Sequence, residues 1–368
     1  MCRRHINQST RRRAFAFQPP LSYPAGAVGV CKRPAEVYSD LIRTPSVKRS
    51  GSLAQSVKDR VKRYVFPDYV LARRQYYHRN GFYPDLNNPR DLSEKILWLK
   101  LYDRSPLHTR CADKILVRDH VEARIGGQFL APKFLATYDL DEVSPETIRE
   151  ERFVMKTNHD QGGVFICLDR ARFDWARALD QIRARARINK YYEFQERQYR
   201  DIRPGVLVEG FIEGEDGRNA VELKVNCFEG KPQFIQVIVD RFEKRRHVNY
   251  DLNWRRMDLH GRSLGLEYDL PRPAQLDLVL EAAGTLASPF LFCRVDFLLG
   301  AGGRPWFGEM TFHPAAGLVR YNPPEMERAL GDLIDLRRFA EFAEAQRRIW
   351  SEDARARPLL SGALRDAQ

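Results

Sequence analysis

Only six of the 368 residues are cysteine, and Cys2, Cys31, Cys111, Cys167, Cys227 and Cys293 lie scattered, with no C-x-x-C and no clustered histidines. Zinc-ligand spacing, a thioredoxin-type motif and a disulfide framework are thereby excluded. Three of the thiols fall inside apolar strand patterns, which reads as buried, reduced cysteine in a cytoplasmic protein. No uninterrupted apolar run approaches the roughly 20 residues of a membrane span, and no signal-peptide core follows the early arginines, so the body is expected to be soluble. There is no G-x-x-x-x-G-K-[ST] and no G-x-G-x-x-G after a strand, which leaves the P-loop and the dinucleotide fold without footing. No repeat of fixed period stands out.

What is present is unevenly charged. The net charge is +12, and residues 1–63 carry fourteen Lys or Arg against three Asp or Glu, a surplus of eleven. The remaining three hundred residues are therefore nearly neutral, and the high pI does not indicate a nucleic-acid groove. The basic segment, with Arg11-Arg12-Arg13 and several Pro and Ser, lacks periodicity and is expected to be a disordered extension over 1–55. Weak attraction of this tail to an anionic membrane surface is a second reading, and a targeting peptide a third.

At roughly 150 residues per domain the chain suggests two lobes. Helical patterns cover Ser56–Asn80, Asp91–Tyr102, about Thr109–Ile125, 172–198, Ala274–Ala287 and Pro323–Trp350. Leu130–Tyr138 reads as a short strand or connector, and strands are expected at Arg152–Thr157, Val164–Leu168, Val206–Ile212, Val221–Phe228 and Phe234–Asp240. Mixed helices and mostly antiparallel strands indicate an α+β body. The expected organisation is a helical region over 56–150, a small lobe over 151–215 with a hinge at Glu213-Gly214-Glu215-Asp216-Gly217, a large lobe over 216–350, and a tail over 351–368.

Two short strands, Cys293–Leu299 and Trp306–His313, are joined by Gly300–Arg304, which reads as a hairpin. Pairing Leu299 with Trp306 puts Val295 opposite Met310 on an apolar face. Arg294, Asp296, Glu309 and Thr311 then share the other face, with Asp296 opposed to Glu309. Carboxylates with Cβ atoms about 5 Å apart repel unless a cation intervenes. Magnesium, usually held by one or two carboxylates plus phosphates, fits that place. Arg294 neutralising Asp296 on a solvated hairpin is the alternative. Upstream, Asn158-His159-Asp160-Gln161-Gly162-Gly163 links two strands as a glycine-ended loop that could cover a phosphate, and Lys156 stands at the end of the preceding strand. Glu209 is the one acid of an apolar strand. Glu222, Lys224 and Asn226 share a strand face against which Gln236 and Asp240 can be registered, and Asp113-Lys114 precedes Arg118 by one turn.

The order of these pieces resembles the ATP-grasp superfamily. More specifically, Leu92–Asp103 (LSEKILWLKLYD), Asp113-Lys114, Lys156-Thr157-Asn158-His159, Asp240-Arg241-Phe242, Arg294-Val295-Asp296 and Phe307–Phe312 (FGEMTF) resemble the TupA-type ATP-grasp family over about residues 80–335. That family is associated with teichuronic acid and other bacterial surface polysaccharides. The resemblance implies a two-lobed ATP-grasp fold holding ATP and Mg2+. Lys114 and Lys156 would contact phosphates, with His159, Gln161, Gly162 and Gly163 in the covering loop. Glu209 would stand near adenine or ribose, and Glu222 also on the nucleotide. Asp296, Glu309 and Thr311 would bind the metal, although Thr311 occurs where many ATP-grasp enzymes carry the Asn of Glu-x-Asn. Arg294 or Lys224 would stabilise the charged intermediate. The implied reaction is ATP-dependent ligation through an acyl phosphate, the substrate bearing a carboxylate or a sugar. A glycosyltransferase using a nucleotide sugar is the rival enzyme, and a basic scaffold or nucleic-acid-binding protein the non-enzymatic rival.

Overall fold

The computed structural model describes residues 66–215, 220–239, 246–259, 265–266 and 268–355. The chain divides into a unit Met1–Arg43, outside the described residues, and a unit Thr44–Gln368, to which everything below refers. The expected tail over 1–55, the Asp240-Arg241-Phe242 motif, and Asp216 and Gly217 of the expected hinge also lie outside the described residues.

Helices α1 (Asp68–Asn80), α2 (Leu92–Tyr102), α3 (Pro106–Ala112) and α4 (Val117–Ile125) come first. The single helix expected over 109–125 is thus two, because Asp113 Oδ1 accepts the amides of Ile115 (2.8 Å) and Leu116 (3.3 Å) and so starts a new turn. The start of α2 is specified by a capping box, Asp91 with Glu94. A strand β1 (Lys133–Thr137) follows, then β2 (Phe153–Thr157), β3 (Val164–Cys167), α5 (Trp175–Ala186), α6 (Tyr191–Phe194) and β4 (Val206–Gly210). The long helix expected over 172–198 is also broken, where Asn189 Oδ1 accepts Tyr191 N at 3.0 Å and Gln195 takes φ 56. These four strands form one antiparallel sheet in the order β1-β4-β2-β3. Its apolar face, including Phe153, Met155, Val206 and Val208, packs on Ala178 and Ile182 of α5.

The second sheet contains β5 (Val221–Phe228), β6 (Lys231–Val239), β7 (Arg246–Asp251), β8 (Phe292–Leu299) and β9 (Pro305–Thr311), ordered β7-β6-β5-β8-β9 and antiparallel throughout. Helix α7 (Leu276–Ala287) presents Leu276, Val279, Ala283 and Leu286, each at 0% exposure, at helical spacing to the apolar face made by Val225, Val295, Ile235 and Met310. Full burial of each larger side chain contributes about 1.5–3 kcal/mol. Because side chains alternate, the same registers align Glu309, Asp296, Lys224, Gln236 and Asn249 in one polar row across all five strands on the opposite face. Helices α8 (Pro324–Asp332) and α9 (Phe339–Arg355) close the described chain, two where one was expected, with Asp335 capping the turn between them at Arg337 N (3.0 Å).

In the β8–β9 hairpin Val295 faces Met310 and Asp296 faces Glu309, as the alternation predicts. The pairing of Leu299 with Trp306 is corrected: Trp306 pairs with Leu298, and Leu299 with Pro305. A register shift after Asp296 leaves Gly308 as the extra residue of a bulge. A Cβ there would approach Asp296 O to 3.0 Å, so glycine permits the close passage.

Candidate active site between the two sheets

A narrow cleft is lined by Lys114, Val117 and Arg118, by Lys156, Leu207 and Glu209 of the first sheet, and by Phe307 and Gly308 of the second. On the first sheet Lys156 Nζ donates to Glu209 Oε2 at 2.6 Å, and Arg118 Nη1 donates to Glu209 Oε1 at 2.5 Å. Arg118 Nη2 is fixed by Ala131 O at 2.7 Å. Lys114 Nζ donates to Asp160 O at 2.6 Å. Desolvation pushes its ammonium pKa down, and the carboxylate of Glu309 on the second sheet is the largest opposing influence. One carboxylate, Glu209, therefore serves two cations here, and the third, Lys114, rests on a backbone oxygen.

On the second sheet Asp296 is 4% exposed and accepts from Arg294 Nε (2.7 Å), Arg294 Nη2 (2.8 Å) and Lys224 Nζ. Lys224 also meets Glu222 Oε2 at 3.3 Å. Burial would raise the Asp296 pKa, but Arg294 and Lys224 outweigh it and hold the carboxyl at about 2. Arg294 thus lies between the opposed Asp296 and Glu309, as the alternative reading of the hairpin has it, but on a largely buried face rather than a solvated one. Arg294 Nη2 reaches Glu309 Oε1 at 3.5 Å and Thr311 Oγ1 at 3.1 Å. No group of three or more His, Cys, Asp or Glu poised to hold a metal occurs among the described residues. Glu309, however, is 38% exposed with only long contacts of 3.5 Å, so its oxygens remain available. One free carboxylate beside a hydroxyl fits magnesium that keeps its waters and takes its other ligands from phosphates.

A family model described as TupA-like ATP-grasp matches residues 94–335. The chain belongs to the TupA-like ATP-grasp family. As a member it is an ATP-grasp enzyme, and the α+β two-sheet body is the ATP-grasp fold. Among solved structures it is similar to the D-alanine–D-alanine ligase of Bacillus anthracis complexed with ATP, at 16% identity and TM-score 0.36, over 66% of this chain and 68% of that one. It is likewise similar to the VanG D-Ala:D-Ser ligase of Enterococcus faecalis, at 14% identity and TM-score 0.36, over 66% and 62%. The ATP-grasp ligase PsnB, complexed with a precursor variant, Mg and ADP, aligns at 10% identity and TM-score 0.32, over 67% and 60%. No curated protein matches.

In this ATP-grasp chain the loop after β2 is largely turned inward. His159 is 3% exposed, with Nδ1 at 3.2 Å from Asn158 Oδ1 and Nε2 at 3.1 Å from Arg185 O. Burial pushes its pKa down, so the ring is neutral and both nitrogens are engaged within the protein. Asn158 ties the loop to Asp113 Oδ1 (3.0 Å) and Gly205 N (2.7 Å), while Arg185 holds Asp160 at 2.6 Å. Gly163 is required by packing, since a Cβ would fall 1.7 Å from Thr157 Oγ1; Gly162 takes φ +87 and is exposed with Gln161. Thus Gln161 and Gly162 are the loop's outward residues. The Leu92–Asp103 segment stands apart from the cleft: Lys95 Nζ donates to Gly331 O and Ile334 O, and Lys100 Nζ to Ala316 O at 2.9 Å. It clamps the turn that follows β9.

Two residues of the arrangement escape sequence reasoning as site residues. Arg118 stands out in the sequence only for its spacing from Asp113-Lys114, yet it shares Glu209 with Lys156. Tyr199 ends the turn Arg197–Tyr199, and its hydroxyl accepts from Gln161 Nε2 at 3.1 Å. Its charged neighbours include Glu309 and Arg294. A tyrosine inside an irregular polar stretch gives no periodic signal by which to single it out.

Proposed function

We propose that this chain is a cytoplasmic, ATP- and magnesium-dependent carboxylate ligase acting in cell-surface polysaccharide synthesis. It would join a carboxylate-bearing sugar or amino acid to an amine. The observation that carries the reading is the cation-rich lining of the cleft, where Lys114, Arg118 and Lys156 gather around the single carboxylate of Glu209, together with the partly exposed Glu309 on the second sheet, whose contacts are no shorter than 3.5 Å. Phosphates are attracted to the first wall and the divalent ion to the second, with Glu309 the leading metal ligand and Thr311 and Asp296 beside it. Arg294 and Lys224 neutralise charge that develops on the transferred group. ATP supplies the phosphoryl group: a substrate carboxylate oxygen bonds to the terminal phosphorus as ADP leaves, and the amine then displaces phosphate. The polysaccharide context is supported by the family resemblance. The cleft has a free volume of about 10 Å³, about one water's worth, so its two walls separate for a nucleotide to enter.

Isothermal titration with magnesium and the non-hydrolysable analogue AMP-PNP tests this. Wild type binds; Lys156→Met weakens binding about tenfold or more, as loss of a charge-assisted phosphate contact should. Glu309→Gln weakens it only when magnesium is present. No binding by the wild type, or equal binding by wild type and both variants, rejects the proposal.

A further inference from the structure

The hydroxyl of Tyr199 stands against Gln161 of the β2 loop and within the electrostatic influence of Glu309 and Arg294 of the second sheet. The ring is 8% exposed and packs within the large core under the second sheet. Its one hydrogen-bond partner among the described residues is Gln161 Nε2, which donates to it at 3.1 Å. A phenol that accepts a hydrogen bond still has its own proton to give. Burial above all, then the carboxylates of Glu196 and Glu309, push its ionisation upward, while Arg294 opposes them, so the group is a neutral phenol at working pH. The hydroxyl thus has an uncommitted donor beside the exposed end of the loop, where Gln161 restricts its rotation, and Glu309 and Arg294 are among the charges that act on it.

We propose that Tyr199, aligned by Gln161, donates a hydrogen bond to an oxygen of the terminal phosphate of the bound nucleotide and so positions the group that is transferred. This rests on the nucleotide-binding reading above. The choice of the terminal phosphate follows from the neighbours: Glu309, which would hold the metal that accompanies the outer phosphates, is among the charges acting on Tyr199. No proton is transferred by Tyr199, and its role is positioning.

Affinities of Mg-AMP-PNP and Mg-ADP for wild type, Tyr199→Phe and Gln161→Ala test the inference, because ADP lacks the terminal phosphate. Tyr199→Phe is expected to weaken AMP-PNP about tenfold and ADP less than twofold, and Gln161→Ala to weaken AMP-PNP about threefold in the same selective way. Gln161 is exposed, so its truncation leaves the core intact and reports on alignment even if Tyr199→Phe proves unstable. Equal loss for both nucleotides, or no loss for either, overturns this inference alone. A wild type that binds neither nucleotide overturns the nucleotide reading together with it.

Discussion

The two walls of the cleft solve the same problem, buried charge, in opposite ways. On the first sheet Glu209 is shared by Lys156 and Arg118, with Lys114 tied only to a backbone carbonyl, which leaves positive charge in excess. On the second, Arg294 and Lys224 both close on Asp296, and Arg294 reaches the partly exposed Glu309 only at 3.5 Å. The difference is also one of depth: the side chain of Lys156 is 19% exposed, whereas those of Lys224 and Asp296 are each 5% exposed. A shallow excess cation is free to exchange its partner for a phosphate. A deep pair holds its geometry, and beside it stands the more exposed carboxylate of Glu309.

This contrast predicts a graded set of effects. The largest is on stability: Lys224→Met breaks a deep pair and should cost about 3 kcal/mol in urea unfolding, because it strips a partner from buried carboxylates. Lys156→Met should cost under about 1 kcal/mol, since Glu209 keeps Arg118. Equal costs would mean that the walls do not differ as described. The next effect is in acid. Asp296, ordinarily near 3.8, is held at about 2 in the folded protein. A depressed pKa contributes stability in full above the unfolded value, and that stability is lost as pH falls toward the folded one. Urea midpoints should therefore drop between about pH 4 and pH 2, by about 2 kcal/mol from this group, and Asp296→Asn should flatten that part of the curve. Gly308→Ala should cost about 1 kcal/mol, because its Cβ presses on Asp296 O at 3.0 Å. The smallest change in stability is expected for Glu309→Gln, within about 0.5 kcal/mol given its exposure, while the magnesium dependence of nucleotide binding disappears. A variant that loses stability instead would make Glu309 part of the scaffold.

Much of this was legible one residue at a time. The alternation along Cys293–Leu299 and Trp306–Phe312 is enough to oppose Asp296 to Glu309, because period two leaves no other way to bury Val295 and Met310. The bulge at Gly308 was not legible, since a glycine in a strand signals close approach without saying to what. Strand β7 was missed for a physical reason. His247 and Asn249 are as buried as Val248 and Tyr250, at 5% exposure or less for all four, so the pattern shows no clean apolar face. The helix breaks at Asp113, Asn189 and Asp335 did carry a signal, a short polar side chain able to cap the next turn, which helical periodicity obscured. His159 shows the reverse: its position in the motif suggests a ligand contact, and its two ring nitrogens are bonded within the protein.

By itself the sequence determined which residues share a strand face, which segments alternate and which motifs accompany one another, because those follow from backbone geometry and local chemistry. Which cation lies between Asp296 and Glu309, which side of the β2 loop faces outward, and that Lys114, Tyr199 and Arg294 gather around one free carboxylate were decided only by the tertiary structure. Those outcomes depend on burial and on partners distant in the chain, and the energy of a charge is set by what surrounds it in space.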